Sequence, residues 1–156
     1  MAQDNPASSL YHVGFWVQDI DQALHFYTQI MDFSVLSHAK RATGGERVML
    51  GDTMGNYMEI LSDSSVLDAP DAPLHPVGRV EGLPHIAIRV EDTQAMKQRL
   101  QDEGYEILRE APDPSVGGYI TSENGEHRMI FVRGPGNISL ELFEFVKEND
   151  LFENAP

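Results

Sequence analysis

The 156-residue chain writes one pattern twice, so it must fold as two related halves. Leu10-Tyr11-His12-Val13-Gly14-Phe15-Trp16-Val17 returns as Leu83-Pro84-His85-Ile86-Ala87-Ile88-Arg89-Val90. Aligned on the histidines, Leu10 meets Leu83, Val13 meets Ile86, Phe15 meets Ile88, Val17 meets Val90 and Asp19 meets Asp92. One residue of slack then brings Gln22-Ala23 onto Gln94-Ala95, Phe33 onto Tyr105, and Val35-Leu36 onto Ile107-Leu108. Tyr57-Met58-Glu59-Ile60-Leu61 finds its counterpart in Ser139-Leu140-Glu141-Leu142-Phe143. Each half thus offers one His and one Glu at matching places.

Local patterns give each half the same order of elements. Residues 10–17 alternate as a strand, with Tyr11, Val13, Phe15 and Val17 on one face and His12, Gly14 and Trp16 on the other. Asp19 is suited to cap a helix over 20–31, whose apolar stripe is Ile20, Ala23, Leu24, Tyr27, Ile30 and Met31, with Asp32 closing it. Strands follow at 33–39, 46–50 and 57–61, joined by turns at 42–45 and 51–56. In the second half a strand carries His85, Ala87 and Arg89 on one face. Asp92 or Thr93 then caps a helix to about Glu103, stopped by Gly104. Strands are expected at 105–109, 119–122, 128–133 and 138–145. The expected organisation is an N-terminal extension 1–9, a first module 10–62, a linker 63–82, a second module 83–146 and an acidic tail 147–156. His75 sits among the prolines of the linker and reads as exposed.

Composition narrows the partners. A net charge of −14 argues against nucleic acid and against anionic membrane surfaces, whose phosphates it would repel. No apolar run approaches the roughly 20 residues that span a bilayer, and residues 1–9 have no secretory character. Zero cysteines remove disulfides and thiolate chemistry and fit a cytoplasmic location. A small anionic substrate stays compatible, because Arg47, Arg89 and Arg128 could reverse the field locally; each also reads as a residue of a solvated strand face.

One histidine or glutamate alone would read as a rim or core residue. The repeat changes that reading, because related halves bring equivalent strand positions together. His12, Glu59, His85 and Glu141 then form a set of two nitrogens and two carboxylates. Such a set suits one divalent ion per site, Zn, Ni, Co, Mn or Fe. Two carboxylates facing each other without a cation would be costly.

The His12-Val-Gly-Phe-Trp-Val strand with Asp19-Ile-Asp-Gln-Ala-Leu-His-Phe-Tyr, the Leu-Pro-His85-Ile-Ala-Ile-Arg-Val strand, and Ser-Leu-Glu141-Leu-Phe-Glu together resemble the vicinal oxygen chelate superfamily. That superfamily includes glyoxalase I, methylmalonyl-CoA epimerase, extradiol dioxygenases and bleomycin- or fosfomycin-resistance proteins. The resemblance covers residues 10–62 and 83–146. It implies an α+β fold: two pseudo-symmetric βαβββ modules forming a cupped, incomplete barrel around a metal site. It also implies His12, Glu59, His85 and Glu141 as the metal ligands.

Glutamate at the Glu59 place resembles glyoxalase I. Methylmalonyl-CoA epimerases usually have glutamine there, and in extradiol dioxygenases that place does not bind iron. The implied activity is a lyase or isomerase that moves a proton through a metal-stabilised enediolate of a small α-oxo or vicinal-oxygen substrate. Glu141 or Glu59 would be the base, and a homodimer is implied. The alternatives are a ferrous extradiol-type dioxygenase, a methylmalonyl-CoA epimerase-like isomerase, and a non-enzymatic drug- or metabolite-binding protein. Trp16 and Phe143 are candidates to wall the cavity and Arg89 and Arg128 to hold an anionic substrate; each reads equally as a packing or surface residue. His127 could face the pocket but reads as exposed. Segments 33–47 and 111–127 carry no motif for glutathione.

Overall fold

The computed structural model describes residues 10–42, 44–66, 85–112, 118–122 and 125–148. The N-terminal extension, most of the linker with His75, and the end of the tail lie outside the described residues. The chain divides into two compact units, Met1–Asp68 and Ala69–Pro156.

The first unit contains β1 (Val13–Val17), α1 (Ile20–His25), β2 (Ser34–Lys40), β3 (Glu46–Gly51) and β4 (Tyr57–Ser62). Its open sheet has the order β1-β4-β3-β2, with β1 parallel to β4 and the other pairs antiparallel. Alternation works as expected on β4: Met58, Ile60 and Ser62 are buried, while Tyr57, Glu59 and Leu61 keep partial exposure. The buried face joins Val17, Val48, Leu50 and Ile60 to Ala23, Phe26, Tyr27 and Ile30 of the helix. This apolar packing is the main driving force for the unit. Tyr11 departs from expectation. It precedes β1, is 67% exposed, and rests against Tyr57 with ring centroids 5.4 Å apart.

The helix departs from expectation as well. Asp19 caps it, accepting from the Gln22 N–H at 2.9 Å, but α1 widens after His25 into a π-helical turn, Phe26–Ile30. The Met31 N–H reaches back five residues to the Phe26 carbonyl at 3.1 Å. Asp32, with φ 59°, then closes the segment. One residue more separates Asp19 from Phe33 than separates Asp92 from Tyr105. The wider turn accommodates that residue within the helix.

Two turns shape the sheet. Asp52 Oδ1 accepts from the backbone N–H groups of Met54 and Asn56, both at 2.8 Å, which folds the β3–β4 connection. Burial works upward on its carboxyl, yet the Asn56 side chain and the N–H groups of Asn56, Met54 and Gly55 together hold it below the usual carboxylate range. At the β2–β3 end, the Arg41 N–H donates to the Gly45 carbonyl at 3.1 Å. Gly45 has φ +74°, and a Cβ there would lie 2.0 Å from the Ser62 carbonyl oxygen. Gly45→Ala is therefore expected to lower stability by more than about 2 kcal/mol, since the left-handed backbone alone costs a side chain ~1–2 kcal/mol. The urea midpoint checks this, and an unchanged midpoint would refute the close approach.

The second unit repeats the plan with β5 (Ile86–Arg89), α2 (Thr93–Asp102), β6 (Ile107–Ala111), β7 (Ile120–Ser122), β8 (Gly125–Gly134) and β9 (Ile138–Glu148). Its sheet order is β5-β9-β8-β6, and β5 runs parallel to β9 as β1 does to β4. The short β7 is an addition to the βαβββ plan, paired to the first residues of β8. β9 runs three residues past the expected end at Phe145. Asp92 caps α2 through bonds from Gln94 and Ala95 N–H groups. Thr93 is fully buried and gives both its N–H and its hydroxyl to Glu144 Oε2, at 3.0 and 2.9 Å. The helix start is thereby tied to β9.

Candidate metal centre

Parallel pairing at one sheet edge brings the histidine and glutamate of each half together. In the first unit Gly14 on β1 is the register partner of Glu59 on β4. His12, two residues before Gly14, shares that face. Its Nε2 lies 3.7 Å from Glu59 Oε2, with side-chain exposures of 33% and 17%. In the second unit Ala87 is the register partner of Glu141, and His85 Nε2 lies 2.9 Å from Glu141 Oε2, with exposures of 31% and 16%. The near-identical exposures leave both pairs reachable from solvent yet largely covered.

The surroundings of the pairs differ. Gly14 leaves space beside Glu59: a Cβ added there would stand 3.4 Å from Oε2. Met49 is the β3 partner of Glu59, and Arg47, two residues earlier, places Nη1 3.7 Å from Glu59 Oε1. In the second unit Phe131 is the partner of Glu141, so the place equivalent to Arg47 is held by Met129. The first carboxylate thus sits between an imidazole and a guanidinium. The second has an apolar residue where the first has its arginine.

The expected wall and anion-binding residues are distributed unevenly. Trp16 shares the face of His12 and Gly14, is 43% exposed, and carries the Arg41 guanidinium over its ring at 4.8 Å. Phe143, two residues from Glu141, faces the same way and packs edge-on to Phe145 at 5.1 Å. Arg89 lies on the Glu141 face but is engaged, 2.8 Å from Glu148 and over Phe145. Arg128 lies on the other side. It pairs with Glu144 on the α2 face at 3.5 Å and donates to the Gly118 carbonyl. There it lines a cleft of about 260 Å³ with Thr93 and Glu110. His127 is half-buried, its ring 6.3 Å from Phe145. Arg41 was not expected from the sequence; only the tight 41–45 turn hints that its side chain folds back over β1. Asp63, 4.0 Å from Arg41, is held below the usual carboxylate range by the Ser65 N–H and hydroxyl, with Arg41 adding to the effect.

The donor chemistry fits a divalent ion. Imidazole nitrogen and carboxylate oxygen suit Zn, Ni, Co, Mn and Fe. In the first pair Nε2 of His12 is the nitrogen turned toward the carboxylate, and Nδ1 is buried with no hydrogen-bond partner among the described residues. Among the described residues no third His, Cys, Asp or Glu joins either pair.

Known structures share this architecture. A glyoxalase family protein from Bacillus cereus is similar at TM-score 0.68 and 22% identity, over 92% of this chain and 97% of that one. A glyoxalase I from Leishmania major, described as trypanothione-dependent, is similar at 0.63 and 23%, over 88% and 87%. A fosfomycin resistance protein from Listeria monocytogenes, complexed with Mn(II) and 1S,2S-dihydroxypropylphosphonic acid, is similar at 0.62 and 17%, over 94% and 97%. At these identities the likeness establishes the fold. No curated protein matches the chain. Among the described residues no helix is long and apolar enough to cross a membrane. The Glyoxalase/Bleomycin resistance protein/Dioxygenase profile matches residues 9–142, a span that takes in both His–Glu pairs, and the chain belongs to that superfamily.

Proposed function

We propose that this protein is a divalent-metal-dependent lyase or isomerase of the glyoxalase type, acting on a small substrate with adjacent oxygens. The observation that carries the reading is the pair of His–Glu sets at equivalent positions with matched exposure. His12, Glu59, His85 and Glu141 would hold the ion. When bound, the ion supplies Lewis acidity toward a carbonyl oxygen, which acidifies the neighbouring C–H.

The chain's own residues account for the proton transfer. Glu141 is assigned as the base, taking the proton on a carboxylate oxygen and returning it to the adjacent carbon. Glu59 instead has the Arg47 guanidinium 3.7 Å away. His85 positions Glu141 from 2.9 Å. Phe143, two residues along β9, lies on the same strand face as Glu141 and packs edge-on to Phe145. A homodimer working in the cytoplasm is part of the same proposal.

Protein purified without added metal is expected to carry a divalent ion that a strong chelator removes. Restoring the ion is expected to raise the melting temperature, since a ligand that binds only the folded state stabilises it. A chelated protein whose melting is indifferent to Zn, Ni, Co, Mn and Fe would overturn the reading. Ferrous iron together with oxygen uptake on a catechol would move the protein to the dioxygenase branch.

A further inference from the structure

The face of the first sheet that carries His12 and Glu59 also carries two guanidinium groups. Arg47 pairs with Leu61 across the sheet, and Leu61 pairs with Trp16 on its other side. Trp16, Leu61 and Arg47 therefore form one row, directly above the row of Gly14, Glu59 and Met49. Arg41, bonded to Gly45 beyond that row, lies over Trp16 at 4.8 Å.

Neither arginine is saturated by its acidic neighbour. Arg47 is 53% exposed and 3.7 Å from Glu59, too far for the ~2.7–2.9 Å of a charge-assisted hydrogen bond. Arg41 Nη1 is 4.0 Å from Asp63 Oδ2, beyond hydrogen-bond reach. Nη1 of Arg41 is buried with no hydrogen-bond partner among the described residues. A cation bound at Glu59 would compete with Arg47 for that carboxylate and leave the guanidinium seeking another anion. In a chain of net charge −14, two such groups on one sheet face gather positive charge beside Trp16.

We propose that Arg47 and Arg41 form an anion subsite beside Trp16, and that the substrate of the adjacent centre is a small α-oxo or α-hydroxy acid whose carboxylate they bind. This rests on the functional reading above and adds the charge of the substrate to it. The planar guanidinium of Arg47 can engage a carboxylate through two parallel hydrogen bonds, which a neutral ketone cannot reciprocate.

Trp16 is the only tryptophan of the chain, so its fluorescence reports this subsite alone. The experiment titrates pyruvate and, as neutral counterpart, hydroxyacetone into Mn(II)-loaded protein and into chelator-treated protein, with metal content measured on the same samples. Pyruvate is expected to give a saturable change in the millimolar range and hydroxyacetone a much weaker one. Arg47→Met is expected to weaken pyruvate by roughly ten- to a hundred-fold, and Arg47→Lys to recover part of the loss. Equal response to the two probes, no saturable pyruvate signal, or an Arg47→Met affinity within two-fold of the parent would overturn the subsite. Failure to take up Mn(II) overturns the metal reading instead. In that case a pyruvate preference that persists in chelated protein and disappears in Arg47→Met still supports the subsite.

Discussion

Glu141→Gln protein is expected to bind its divalent ion more than ~100-fold less tightly than the parent, because disturbing even the outer partners of a ligand costs ~10–100-fold. The substitution keeps the shape of the side chain and removes its charge. It also leaves His85 facing a neutral amide in place of the carboxylate now 2.9 Å away. Competition against a chelator of known affinity measures the loss. Circular dichroism of the same sample checks that β9 is intact, as it should be, since the buried neighbours Leu140 and Leu142 are untouched. An unchanged affinity would remove Glu141 from the proposed set of ligands.

Phe26→Ala is expected to destabilise the first unit by about 3–5 kcal/mol, the range for truncating a buried aromatic ring. Phe26 has no exposed surface. It packs edge-on to Tyr27 at 5.0 Å, and Tyr27 in turn meets Phe15 at 5.8 Å and Phe33 at 6.1 Å. Removing the ring leaves a cavity at the joint between helix and sheet. Against a typical total of ~5–15 kcal/mol, the loss is a large fraction of what holds a domain folded. Urea unfolding followed by Trp16 fluorescence reads the unit concerned. A shift worth less than about 1 kcal/mol would mean that the aromatic cluster does not carry the packing.

Much of this was legible because strand parity is a rigid rule. His12, Gly14 and Trp16 share a face, as do Tyr57, Glu59 and Leu61, and both sets follow from alternation alone. What parity could not supply was pairing across strands. Arg47 stands beside Glu59 because the β3–β4 register sets Met49 against Glu59, and that register follows from turn geometry around Asp52. The face of Arg128 was obscured by the run Ile130-Phe131-Val132, buried on both sides of the sheet and so without visible alternation. Arg89 could be assigned to the Glu141 face, but its partner Glu148 lay in a stretch read as tail. The widened turn at 26–30 escaped because an apolar stripe at helical spacing looks nearly the same at either pitch.

That widened turn bears on how two copies of one sequence can diverge in length. A one-residue slip of the following strand would carry its side chains to the wrong face. Held as a local bulge in the helical ladder, the additional residue leaves the Asp19 cap and the Phe33 anchor in place. Drift in the helix is thereby insulated from β2, the strand that follows it.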